Sequence, residues 1–132
     1  MREINATEIT KNIKEMCILA NHYMADDMKN ALNNAINTET TELGRQVLDK
    51  LEENLDIAQK EMIPICQDTG MAVIFIEIGQ EVHLVGDTYE HAINEGVREG
   101  YTEGYLRKSI VKDPIYRENT KDNTPAVIHY SM

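Results

Sequence analysis

The sequence predicts an α+β fold in a single domain, residues 1–132: an amino-terminal helical hairpin, then a small mixed β-sheet with one helix packed on it. Three observations carry this. Apolar residues recur every three to four positions up to Met62. The texture changes at Pro64, after which Ala72-Val73-Ile74-Phe75-Ile76-Glu77-Ile78 is β-branched and almost wholly apolar. A later stretch, residues 88–103, reads as a helix and is marked by Gly96, Gly100 and, just past it, Gly104, four apart. The 132 residues, 42% hydrophobic and 27% charged, suit one globular domain rather than a disordered chain.

The first predicted helix carries Ile9, Ile13, Met16, Ala20, Met24, Met28, Ala31 and Ala35 on one stripe. Asn5 with Glu8 suits a capping box at its start. The second carries Leu43, Val47, Leu51, Leu55, Ala58 and Met62, with Thr38 or Thr41 as its cap. Pro64 ends it, because the residue before proline avoids helical geometry. The run 72–78 reads as a strand buried on both faces, and Val82-His83-Leu84-Val85 follows closely enough for a hairpin. Asp87 suits the N-cap of the third helix. Each interior glycine costs a helix about 1 kcal/mol, so three on one face imply a close neighbour or else a broken helix. Residues 106–124 are polar and irregular, and Pro125–Tyr130 reads as a final strand.

Thirteen Lys and Arg against 23 Asp and Glu leave a net charge of −10. Such a surface repels nucleic acid and anionic lipid, and no apolar run is long enough to cross a membrane. An anionic substrate would need local positive groups or a metal. No leader pattern opens the chain, which places it in the cytoplasm. Trp is absent and Phe occurs once, so the core must be mostly aliphatic. Two cysteines are too few for a disulfide scaffold, and too few to hold an iron–sulfur cluster alone.

Chemistry-bearing residues crowd into Pro64-Ile65-Cys66-Gln67-Asp68-Thr69-Gly70. A thiolate at Cys66 could ligate a soft or borderline metal. Gln67 could donate to a substrate oxygen, and Asp68 could accept from a hydroxyl. The same residues also suit a plain polar turn. A second cluster runs from Gly104 to Pro125 and holds Arg107, Lys108 and Arg117. Arginine grips carboxylates with paired hydrogen bonds, whereas the Asn and Asp residues around it also suit a surface loop. His22, His83, His91 and His129 lack metal-ligand spacing, and Cys17 adjoins an apolar stripe where a thiol behaves as a small hydrophobe.

The segments Ile65-Cys66-Gln67-Asp68-Thr69-Gly70 and Leu106-Arg107-Lys108-Ser109, with Asp113-Pro114, Arg117, Asn119-Thr120 and Asp122-Asn123-Thr124-Pro125-Ala126, closely resemble the class I (iron–sulfur) fumarate hydratases. The likeness is to the α region of the fumarase and tartrate dehydratase hydro-lyases, and is most specific from Pro64 to His129. It implies reversible hydration of a small dicarboxylate, fumarate to malate. It also implies a 4Fe-4S cluster held by three cysteines, with Cys66 matching the first. Gln67 and Asp68 match substrate-lining catalytic residues, and Arg107 matches a residue gripping a substrate carboxylate.

The family's α region is longer than this chain, and Cys17 matches neither remaining cluster cysteine. The resemblance therefore implies the amino-terminal portion of an α subunit, inactive alone and completed by a β subunit or a carboxy-terminal remainder. Close alternatives are a tartrate dehydratase α fragment, a catalytically silent interaction module, or a cluster-free dicarboxylate binder using Arg107 with Gln67 and Asp68. Exposed strand edges predict self-association into a dimer or larger oligomer.

Overall fold

The computed structural model describes residues 1–66 and 70–132. Helices and strands are mixed, as the α+β reading expects. In chain order they are β1 (Arg2–Asn5), α1 (Ala6–His22), α2 (Asp26–Thr38), α3 (Glu42–Glu61), β2 (Val73–Glu77), β3 (Val82–Val85), α4 (Tyr89–Glu103) and β4 (Val127–Ser131). The chain divides into two compact units. One holds residues 1–18 and, of the described chain, 70–132; the other holds residues 19–66. Among the described residues no helix is long and apolar enough to cross a membrane.

The first unit contains all four strands and α4. Its core gathers Ile13, Cys17, Ala72, Ile93, Val97, Tyr101 and Leu106, with Ile74, Ile76 and Ile128 packed against it. Asn5 starts α1, but its Oδ1 accepts from the Thr7 N–H and hydroxyl rather than closing a box with Glu8. α4 is unbroken, and α1 lies directly on its glycine face. A β-carbon on Gly96 would stand 2.6 Å from the Thr10 carbonyl oxygen, and one on Gly100 would stand 2.9 Å from the Cys17 β-carbon. That close approach is what the glycine spacing signalled. Thr88, not Asp87, caps α4: its hydroxyl accepts from the His91 N–H at 3.2 Å.

The sheet differs from the expectation in two ways. Among the described residues there is no mixed sheet and no β2–β3 hairpin. Instead β1 pairs with β3, and β2 with β4, each as a two-stranded parallel pair. The Gly79 carbonyl accepts from Val82 N–H, so the chain does turn there, but β3 then finds β1. Arg2–Asn5 is too short and too polar to announce itself as a strand. β2 is not buried on both faces either. Ile74 and Ile76 face the core, while Phe75 is 79% exposed and stacks on His129 from β4 with ring centroids 4.8 Å apart. An all-apolar run therefore hid an ordinary alternation of inner and outer faces.

The second unit is helical. The stripe read as one long helix is split: α1 ends at His22 and α2 begins at Asp26. The apolar phase continues across the break, so periodicity did not reveal it. Asp26 and Asp27 in the first turn of α2 complement its helix dipole, the one local sign of a new start. α2 and α3 form the hairpin. Thr41 caps α3, accepting from Gly44 N–H at 3.1 Å, and Met62 closes it in the left-handed conformation at φ 51°. Leu43, Val47 and Leu51 leave an exposed apolar stripe along α3.

Candidate functional site

The helical unit positions Cys66. Ile65 is buried, and its N–H donates to the Asn21 carbonyl at 2.8 Å. The Cys66 N–H donates to Asn54 Oδ1, on α3, at 3.1 Å. Bonds from two successive backbone N–H groups thus fix the chain on both sides of Ile65, while Cys66 itself remains exposed. A groove of about 760 Å³ lined by Leu43, Val47, Leu51 and Asn54 includes Cys66.

The strand-bearing unit positions Arg107. Leu106 is buried in the core and its N–H donates to the Tyr101 carbonyl at 3.1 Å, just past the end of α4. Arg107 follows, exposed. Asn123, which is fully buried, holds the next residues. Its Oδ1 accepts from Ser109 N–H at 2.7 Å and Ile110 N–H at 3.0 Å. Its Nδ2 donates to the Gly70 carbonyl at 3.2 Å, and its side chain also bonds the Tyr101 hydroxyl. Asn119 adds a further link by donating to the Lys108 carbonyl at 2.8 Å.

The loop up to β4 is built from side chains that replace backbone partners. Asp113 accepts from the N–H groups of Ile115 and Tyr116, and Asp122 accepts from the N–H and hydroxyl of Thr124. Burial alone would raise the Asp122 carboxyl, yet the Thr124 bonds, the Thr120 side chain and the Arg98 guanidinium hold it below its usual value. Asn94 of α4 receives the Ala126 N–H at 2.8 Å where β4 begins. The backbone on either side of Arg107 is thus fixed by Leu106 before it and by the Asn119 and Asn123 bonds to residues 108–110 after it.

Cys66 falls in one unit and Arg107 in the other, each described within its own unit. Gln67 and Asp68 lie outside the described residues. Cys17 packs in the core, where burial pushes its thiol up to about 11. His91 pairs with Asp87, His129 stacks on Phe75, and His22 is buried.

Among the described residues no group of three or more His, Cys, Asp or Glu is placed to hold a metal ion. A cluster needing three thiolates does not fit this chain by itself, because it has two cysteines and one of them is core. The sequence reading passed over Asn54 and Asn94, and saw Asn123 only as part of a motif. Asparagines in helices carry no pattern that separates a solvated amide from a tether. At Asn123 the adjoining Asp122 and Pro125 were the available turn signal.

The sequence profile of the fumarate hydratase (Fumerase) family matches residues 10–132. The chain is similar to the putative L(+)-tartrate dehydratase subunit alpha of Methanocaldococcus jannaschii, with 36% identity over 103 residues, 76% of this chain and 35% of that protein. It is also similar to the L(+)-tartrate dehydratase subunit alpha of Escherichia coli K12, with 29% identity over 119 residues, 89% of this chain and 37% of that protein. The matched stretch thus spans little more than a third of each of these relatives.

Proposed function

This chain belongs to the fumarate hydratase family, and from that membership we propose that it is the amino-terminal part of the α region of an iron–sulfur hydro-lyase interconverting fumarate and malate. The observation that carries the reading is the family match over residues 10–132, which takes in Cys66, Gln67, Asp68 and Arg107 together. In this reading Gln67 and Asp68 contact the hydroxyl and carboxylate of the substrate. Arg107 grips a carboxylate through paired charge-assisted hydrogen bonds, which offsets the repulsion between a dianion and a chain of net charge −10. Cys66 is one thiolate ligand of a 4Fe-4S cluster. The other ligands come from polypeptide outside these residues, so the 132 residues alone are inactive. Partners are the rest of the α region and a β subunit. The exposed Leu43, Val47 and Leu51 stripe supports a chain that works in company.

A second reading, L-tartrate dehydration, is favoured by one specific observation: both relatives above carry that name. Both reactions form or consume a hydroxylated four-carbon dicarboxylate by gain or loss of water. The test is to prepare the complete α subunit with its β partner under anaerobic conditions, then assay fumarate hydration and L-tartrate dehydration side by side. Faster turnover of fumarate supports the first reading, and faster turnover of tartrate the second. An iron-loaded assembly that converts neither overturns both.

A further inference from the structure

We infer that Asn123 is a positioning residue, a tether that sets where Arg107 stands relative to Gly70; the inference rests on the hydro-lyase reading above. An asparagine side chain offers two donor hydrogens and an oxygen with two lone pairs. Here the oxygen takes both the Ser109 and Ile110 N–H groups, while the amide nitrogen reaches the Gly70 carbonyl. The Tyr101 hydroxyl makes a further contact with the same side chain. Three stretches therefore meet at one amide: the end of α4, the residues just after Arg107, and Gly70.

The cost of this arrangement is visible. Asn123 is fully buried and adopts φ 62°, the left-handed region that asparagine tolerates better than most residues. Arg107 lies between two fixed points, the buried Leu106 and the tethered Ser109. A carboxylate grip depends on fork geometry, so a small displacement of this segment weakens it steeply. Aspartate at 123 would keep the acceptor for Ser109 and Ile110 but, when ionised, lose the donor to Gly70. Glycine would keep the backbone conformation and remove the whole tether.

The test uses the assembled enzyme, with Asn123→Gly, Arg107→Ala and the double variant. Asn123→Gly should raise KM for the dicarboxylate about tenfold while kcat changes less than about threefold. The double variant should have the KM of Arg107→Ala alone, because a tether has nothing left to position. Multiplied KM effects in the double variant, or an unchanged KM in Asn123→Gly, overturn the inference. Hydrogen exchange gives a readout independent of turnover. The Ser109 and Ile110 amides should be protected in the wild type and exchange freely in Asn123→Gly, while Val97 in the core stays protected. Should Asn123→Gly not fold, the wild type decides: malate or tartrate must slow exchange at Ser109 and Ile110, and no change overturns the inference. If the wild type converts neither substrate, the hydro-lyase reading fails, and unprotected Ser109 and Ile110 amides would separately sink the tether.

Discussion

The Thr10 carbonyl oxygen stands 2.6 Å from the position a β-carbon on Gly96 would take, and the Ile13 β-carbon 2.7 Å from it. Backbone touches backbone here, so α1 and α4 can meet only because α4 lacks side chains on that face. Gly96→Ala should gain about 1 kcal/mol of helix propensity and lose more than that to overpacking, typically 1–3 kcal/mol. The expected net result is a destabilisation of up to about 2 kcal/mol, read as a lower thermal midpoint. Gly100→Leu should be worse, since its first added atom already lies 2.9 Å from the Cys17 β-carbon. Unchanged melting in both variants would refute the close packing.

Gly96 and Gly100 also show why some of the fold was legible. Glycine inside a helix is costly, so its repetition reports a neighbour that the sequence never names. β1 shows the opposite. Arg2–Asn5 becomes a strand only because β3 lies beside it, and pairing between residues 80 apart leaves no local trace. For the same reason β3 was assigned to the wrong partner: adjacency in sequence favoured β2. Residue chemistry draws attention to Cys66 and Arg107, whereas Asn54 and Asn123, whose side chains accept from backbone N–H groups at Cys66 and at Ser109 and Ile110, look like any other polar residues until their partners are known.

Asp122 should make the loop sensitive to acid. Its carboxyl is held below the usual carboxylate value, so its contribution to stability is present above that value, about pH 4, and is lost as pH falls through the lower folded value. Asp122→Asn keeps an oxygen that can accept from Thr124 but cannot titrate. The wild type should therefore lose more stability than Asp122→Asn between pH 7 and pH 3, measured by denaturant unfolding. Equal losses would show that the Asp122–Thr124 turn contributes nothing to acid sensitivity.

Arg107→Lys is not a conservative change if the guanidinium grips a carboxylate through two bonds, because an ammonium supplies a point charge without the fork. In the assembled enzyme this variant should raise KM about 10- to 100-fold, the equivalent of one lost charge-assisted bond, with a smaller change in kcat. Arg117→Lys, on an exposed residue at φ 55° within the same loop, is the comparison and should change neither. Equal behaviour of the two variants in steady-state kinetics would remove Arg107 from the substrate site.

The two cysteines should part company in a labelling experiment. Cys17 is buried, and its thiol is raised from 9.0 to about 11, while Cys66 is exposed. The thiolate is the reactive form, so at about pH 8 iodoacetamide should modify Cys66 in the folded chain and leave Cys17 untouched, with both reacting in denaturant. Because the folded value of Cys17 is raised, its stabilising contribution is complete below pH 9.0 and is lost as pH climbs toward about 11. In the iron–sulfur reading, the same asymmetry makes Cys66 the thiol available to iron. In the assembled enzyme Cys66→Ala should abolish iron retention, measured by metal analysis, while Cys17→Ala should lower the melting temperature and leave iron content intact. Loss of iron in Cys17→Ala, with folding preserved, would overturn the assignment of Cys66 as the single ligand this chain provides.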